Sequence, residues 1–319
     1  MNDAAMNSAD ERAAEDALRD DLARGDAVLA SIGPVLGHLL AHQDHTLFSD
    51  EILSRVRGMV SDIANQLLIA QAEAAGMADP HGFAEQERKD LIERLLAHAA
   101  LVEYCHAMAL EWQLTARSEA RGGIDPVLTP LLQALIASDD TAVAGMAMAA
   151  LAAQARYVQS QRRMELPIGQ LPAELFHDTL SIWLATSQGR EAGVAEANKN
   201  LRSRFDESAL RTGLLARLVA NMGAGAIAAL SLSHGGVALF LTALAELSQQ
   251  DRKMAILATT DQQIARLVLT LRVAGLKAKD AEQQLLLIHP DAEIPNGFEE
   301  LRSDLAAALI AASAAATVV

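Results

Sequence analysis

Between Ile52 and Ala70, the apolar residues Ile52, Val56, Val60, Ile63, Leu67 and Ala70 recur at intervals of three and four. Side chains spaced this way share one stripe of an α-helix, whereas a half-buried strand needs strict alternation. The same rhythm returns at Leu91, Leu95, Ala99, Val102, His106 and Leu110, and few runs in the chain alternate with period two. Composition agrees: 51% of the 319 residues are hydrophobic, only 3% are aromatic, and there are 8 prolines. Ala and Leu head the helix-propensity scale, and small aliphatic side chains let helices approach closely. The expected fold class is all-α.

Breakers and caps divide the chain. Ser8 to Glu11 has the form of a capping box, predicting a first helix to about Ala30. Gly33–Pro34 is expected to end it and start a short second helix, and Ser49–Asp50–Glu51 to open a third. After a turn at Gly76–Phe83, one long helix is expected from about Glu85 to Ala120. "RGGIDPVLTP", from Arg121 to Pro130, is the strongest boundary signal, so the chain reads as an acidic helical bundle over 1–121 and a second domain over 122–319. In the second domain helices are expected near 127–138, 140–163, 172–186, 190–203, 207–220, 224–232, 236–248, 250–258, 261–274, 279–288 and 298–313. Short helices joined by tight turns suit a HEAT-like or α-solenoid array; a compact bundle is the alternative.

The net charge of −15 is unevenly spread. Up to Ala120 there are 21 acidic and 9 basic residues (−12), and beyond it 20 and 17 (−3). Such a field repels phosphate backbones and anionic lipid, so neither nucleic acid nor membrane is expected as a partner. A single cysteine, Cys105, excludes an internal disulfide and suits a reducing compartment. Its neighbour His106 does not face it on a helix, so the thiol reads as buried and inert. The acidic N-terminal stretch lacks the basic and apolar regions of a signal peptide, and no apolar run reaches the length of a membrane span. A cytoplasmic location is expected.

Toward the C-terminus, Ala238–Leu239–Phe240, Ala245–Glu246–Leu247, Arg252 and Ala274–Gly275–Leu276 follow one another in a helix, a second arginine-bearing helix and a glycine stop. Over the C-terminal half this resembles the alphaproteobacterial helical proteins grouped as domain of unknown function 2336. The resemblance implies a bacterial, HEAT-like array and transfers no catalytic residue.

Three features could carry function. In "GHLLAHQDHTLFSDE", His38, His42 and His45 fall on one helical stripe, a spacing compatible with metal ligation. The stripe lies on the flank of its helix near the C-terminus, where the helix dipole alone favours imidazolium. The second is "ARYVQSQRRMELPIGQLPAELFHDTLSIW", a basic, aromatic-bearing bend with Arg156, Arg162, Arg163, Phe176 and Trp183. Arginine and aromatic residues are enriched at protein interfaces, although the same residues could cap helices and fill a core. Third, the glycines at 223, 225, 235 and 236 follow no strand and lack a phosphate-loop lysine, which suits helix packing rather than a nucleotide site. No catalytic residue and no cofactor is assigned. The reading is a non-enzymatic scaffold or regulatory protein with a protein partner or a homo-oligomeric state. The alternative is a helical protein binding a metal through the histidines, or a small ligand in an apolar inter-helix pocket.

Overall fold

The structure, a computed structural model, describes residues 2–41, 49–189, 191–293, 298 and 301–316. Among these residues every regular element is helical, with no strand. In chain order the α-helices are α1 (Asn2–Ala41), α2 (Asp50–Ala74), α3 (Pro80–Leu96), α4 (Ala99–Gly122), α5 (Pro130–Ile136), α6 (Thr141–Arg162) and α7 (Ala173–Thr186). They continue with α8 (Val194–Arg204), α9 (Arg211–Asn221), α10 (Leu232–Ser248), α11 (Arg252–Ala258), α12 (Ile264–Val273), α13 (Ala278–Ile288) and α14 (Ser303–Ala316). Short 3-10 turns include Ile168–Gln170 and Gly223–Leu230.

Most of the second-half helices sit within a few residues of the expected ranges. Two expectations in the first half are corrected. Gly33–Pro34 does not break the chain, because α1 runs from before Ser8 through both residues to Ala41. Burial along it, at Ala14, Leu18, Leu22 and Leu36, outweighs the local breaker signal. The long helix expected over 85–120 is two helices. His98 accepts the Leu101 amide on Nδ1 at 3.2 Å and so starts α4 with a side-chain cap that the apolar rhythm conceals.

By contact the chain forms two compact units, each discontinuous in sequence. One comprises 1–32, 113–151 and 215–319; the other comprises 33–112 and 152–214. The turn at Arg121–Pro130 lies at the end of α4, within the first of these.

In the first unit α10 is the core helix, burying Leu239, Phe240, Leu241, Ala243 and Leu244 against α5, α11, α12 and the 3-10 turn at Gly223–Leu230. α12 in turn packs on α13 and α14. Residues 25 and 26 of α1 are tied in by polar contacts. Gln263 donates to the Gly25 carbonyl at 2.6 Å, and Asp26 pairs with Arg266 and accepts from Ser313 at 2.6 Å.

α2 is the core helix of the second unit. Ser49 caps it by accepting the Ile52 amide, and the expected stripe is buried from Ile52 to Leu67. α3 and α8 pack on it. Trp183 of α7 is fully buried and donates its indole N–H to Gln71 of α2 at 3.1 Å.

A glycine position tests the packing of α10. Gly236 has φ of 69°, and a Cβ there would lie 2.3 Å from Cγ2 of Thr129. Strain of this kind typically costs about 1–3 kcal/mol before the clash is added. Gly236→Ala is expected to lower unfolding free energy by at least about 2 kcal/mol in urea titrations; a variant as stable as the parent would contradict this packing.

Candidate functional site

The bend after α6 is built by a helix C-terminus and held by a neighbouring helix, all within the second unit. α6 closes in a Schellman arrangement, in which the Glu165 amide donates to the Ser160 carbonyl at 2.9 Å and the Met164 amide to Gln161 at 3.1 Å. The left-handed residue is Met164, with φ of 58°, where glycine is usual. Its Cβ occupies space that only a glycine opposite leaves free, since a Cβ on Gly58 of α2 would lie 2.8 Å from it.

Three polar side chains on the flank of α2 then hold the loop backbone. Arg55 donates to the Gln161 carbonyl at 2.9 Å. Asp62 accepts the Leu166 amide at 2.9 Å. Gln66 donates to the Leu166 carbonyl at 3.0 Å and accepts the Ile168 amide at 2.9 Å, pairing with the loop as a neighbouring strand would. Burial pushes the Asp62 carboxyl above its ordinary 3.8; the Leu166 amide opposes this, Glu165 adds to it and Gln66 opposes it.

On this frame Arg156, Arg162 and Arg163 are exposed. Arg163 lies 4.0 Å from Glu165, a loose surface pair. Phe176 and Trp183, expected on the same surface, are 1% and 0% exposed. Phe176 stacks on Phe205 with centroids 4.1 Å apart, and with Phe176 and Trp183 both buried neither ring presents a surface to a partner.

Beneath the bend lies a cavity of about 90 Å³, bounded by α4, α6, the bend and the start of α9. Tyr104, Met108, Arg156, Tyr157, Gln161 and Arg211 contribute to its walls. Arg211 is buried and makes a two-point pair with Glu111, at 2.9 and 2.8 Å. It also donates to Gln154 at 2.9 Å and sits 3.8 Å over the Tyr157 ring. Burial works against the Arg211 charge, but Glu111 more than offsets this and holds its pKa above the ordinary value.

The remaining candidates separate. The backbone of His38 lies in α1, while its side chain, together with His42 and His45, lies outside the described residues. No group of three or more His, Cys, Asp or Glu side chains is placed to hold a metal among the described residues. Cys105 is buried and burial lifts its thiol to about 12, which leaves negligible thiolate at neutral pH. No single helix among the described residues is long and apolar enough to cross a membrane.

Sequence reasoning missed Asp62, Gln66, Glu111, Gln161 and Arg211. The only hint of the first two is their i, i+4 spacing on the flank of an apolar helix. Glu111 and Arg211 lie 100 residues apart, and nothing local links them. No family model, no curated protein and no solved structure matches the chain significantly.

Two outcomes are expected in denaturation experiments. Arg211→Met removes the buried cation that makes a two-point pair with Glu111 and costs about 3–5 kcal/mol, while the double variant with Glu111→Leu recovers most of it. A double variant as unstable as the single one would contradict the pairing. For Asp62, a raised folded-state pKa means that its favourable contribution is complete below 3.8 and is lost as pH rises through the folded value. Asp62→Asn keeps the acceptor without the charge. It should gain on the parent between pH 4 and 7 and match it at more acidic pH; a deficit that widens toward neutrality would contradict the burial argument.

Proposed function

We propose that this chain is a non-enzymatic helical scaffold or regulatory protein that recruits a protein partner, or a second copy of itself, through the basic bend at 156–165. The observation that carries this reading is the exposure of Arg156, Arg162 and Arg163 on a backbone bonded to α2, in a chain of net charge −15. A held backbone lowers the ordering cost of binding, and clustered arginines on an acidic protein favour an acidic partner surface in register. The acidic stretch before Ala120 makes a second copy one such surface.

A cytoplasmic, bacterial protein with a HEAT-like array over 122–319, following an acidic bundle over 1–121, remains the finer architectural proposal. The resemblance of its C-terminal half to domain of unknown function 2336 supports that proposal. The alternative reading, metal binding through His38, His42 and His45, is addressed by elemental analysis of the purified protein.

The test compares the full chain with an Arg162→Glu/Arg163→Glu variant by native mass measurement and by affinity capture with quantified dissociation. Recruitment through the bend predicts self-association or a defined partner that weakens at least about tenfold in the variant, with an unchanged thermal melt. A chain that is monomeric at all concentrations and loses no partner on charge reversal would contradict it.

A further inference from the structure

We infer that His289 is an acid-released clasp: as a neutral ring it ties the end of α13 to the turn that precedes α12, and once protonated it lets that end go. The clasp lies in the first unit, whereas the bend belongs to the second, and it stands whether or not the arginines bind a protein.

The geometry fixes the charge state in which the clasp closes. His289 follows α13, is 6% exposed, and places Nδ1 3.1 Å from a carboxylate oxygen of Asp261, in the short 3-10 turn Asp261–Gln263. The neutral ring therefore carries its one proton on Nδ1, facing Asp261. Nε2, on the other side of the ring, is buried and has no hydrogen-bond partner. In the neutral ring this is a bare lone pair. In the imidazolium it is an N–H with neither an acceptor nor water, and the group that carries it is charged, which makes burial far less favourable.

Two charged side chains act on the ring, in opposite senses. Asp261 favours the imidazolium, and Arg117 of α4, whose own Nε is buried without a partner, disfavours it. Burial is the largest influence. Together with Arg117 it outweighs Asp261 and the Thr259 backbone, and it holds the ring below its ordinary 6.5.

Linkage then sets the sign. The closed ring binds a proton less readily than a solvated one, so the stability it contributes is complete above 6.5 and is lost as pH falls toward the folded value. The proton is taken up by the opened form, where the ring meets water, and holds it open. Opening uncovers Leu285 and Ile288, which are buried in the closed form, beside Leu286 and Leu287, already 40% and 44% exposed. Acid thus turns a closed helix end into an exposed run of four large aliphatic residues.

The test follows amide exchange protection and binding of the dye anilinonaphthalene sulfonate in the full chain between about pH 7.5 and about pH 5. On acidification the amides of Leu285 and His289 are expected to lose protection at least about fivefold, with a matching rise in dye binding, while the α10 core stays protected. His289→Asn keeps a donor toward Asp261 but takes up no charge, so it should show no such step even if it is less stable throughout. Arg117→Met should shrink the step, because it removes a charge that repels the imidazolium. Protection of α13 that does not change with pH in the parent, an equal step in His289→Asn, a larger step in Arg117→Met, or loss of α10 together with α13 would overturn the clasp.

Discussion

The hydrogen bonds that Asp62 and Gln66 of α2 share with the backbone of Leu166 and Ile168 underlie the recruitment proposed for this protein. The segment between α6 and α7 contains two prolines and a left-handed methionine, so it cannot satisfy its own backbone in a helix. Buried amides and carbonyls need partners, and α2 provides them with side chains. The consequence is a loop with the fixed geometry of an element. Its outer side carries Arg162 and Arg163, and its inner side roofs the cavity that Gln161 and Arg211 line.

The interior chemistry of the second unit favours placement over raw stability. A buried pair such as Glu111–Arg211 gains little over apolar residues of the same volume, because both charges lose their water. What the pair does is orient. The two-point contact, the bond to Gln154 and the stacking on Tyr157 leave the Arg211 guanidinium one position, which sets the floor of the cavity. Gln161 is held in the same way, by acceptors on one end of its amide only. The two side chains thus fix the shape of the cavity they line.

How much of this was legible follows from the range of each interaction. Helices bounded by Ser49, Pro172, Gly275 and similar caps or breakers were readable, since a cap and the apolar rhythm act within a few residues. Local signals failed at Gly33–Pro34, where burial along α1 prevails, and at His98, an unusual cap whose neighbours keep the helical spacing. The basic bend was legible as a cluster, but the fate of its aromatics was not. Phe176 and Trp183 turn inward because Phe205 and Gln71 await them, contacts separated by tens of residues or more. The cavity was invisible for the same reason, as Met108, Gln161 and Arg211 meet only in three dimensions.

The central claim, that α2 holds the bend rigid, is tested most directly by amide hydrogen exchange at Leu166 and Ile168. Neither amide lies within an α-helix, so protection there depends on the side chains that accept them. The account predicts that both are strongly protected in the parent chain, and that Gln66→Ala releases Ile168 first while α6 remains protected. Exchange of both amides at the rate of an open loop in the parent chain would contradict it.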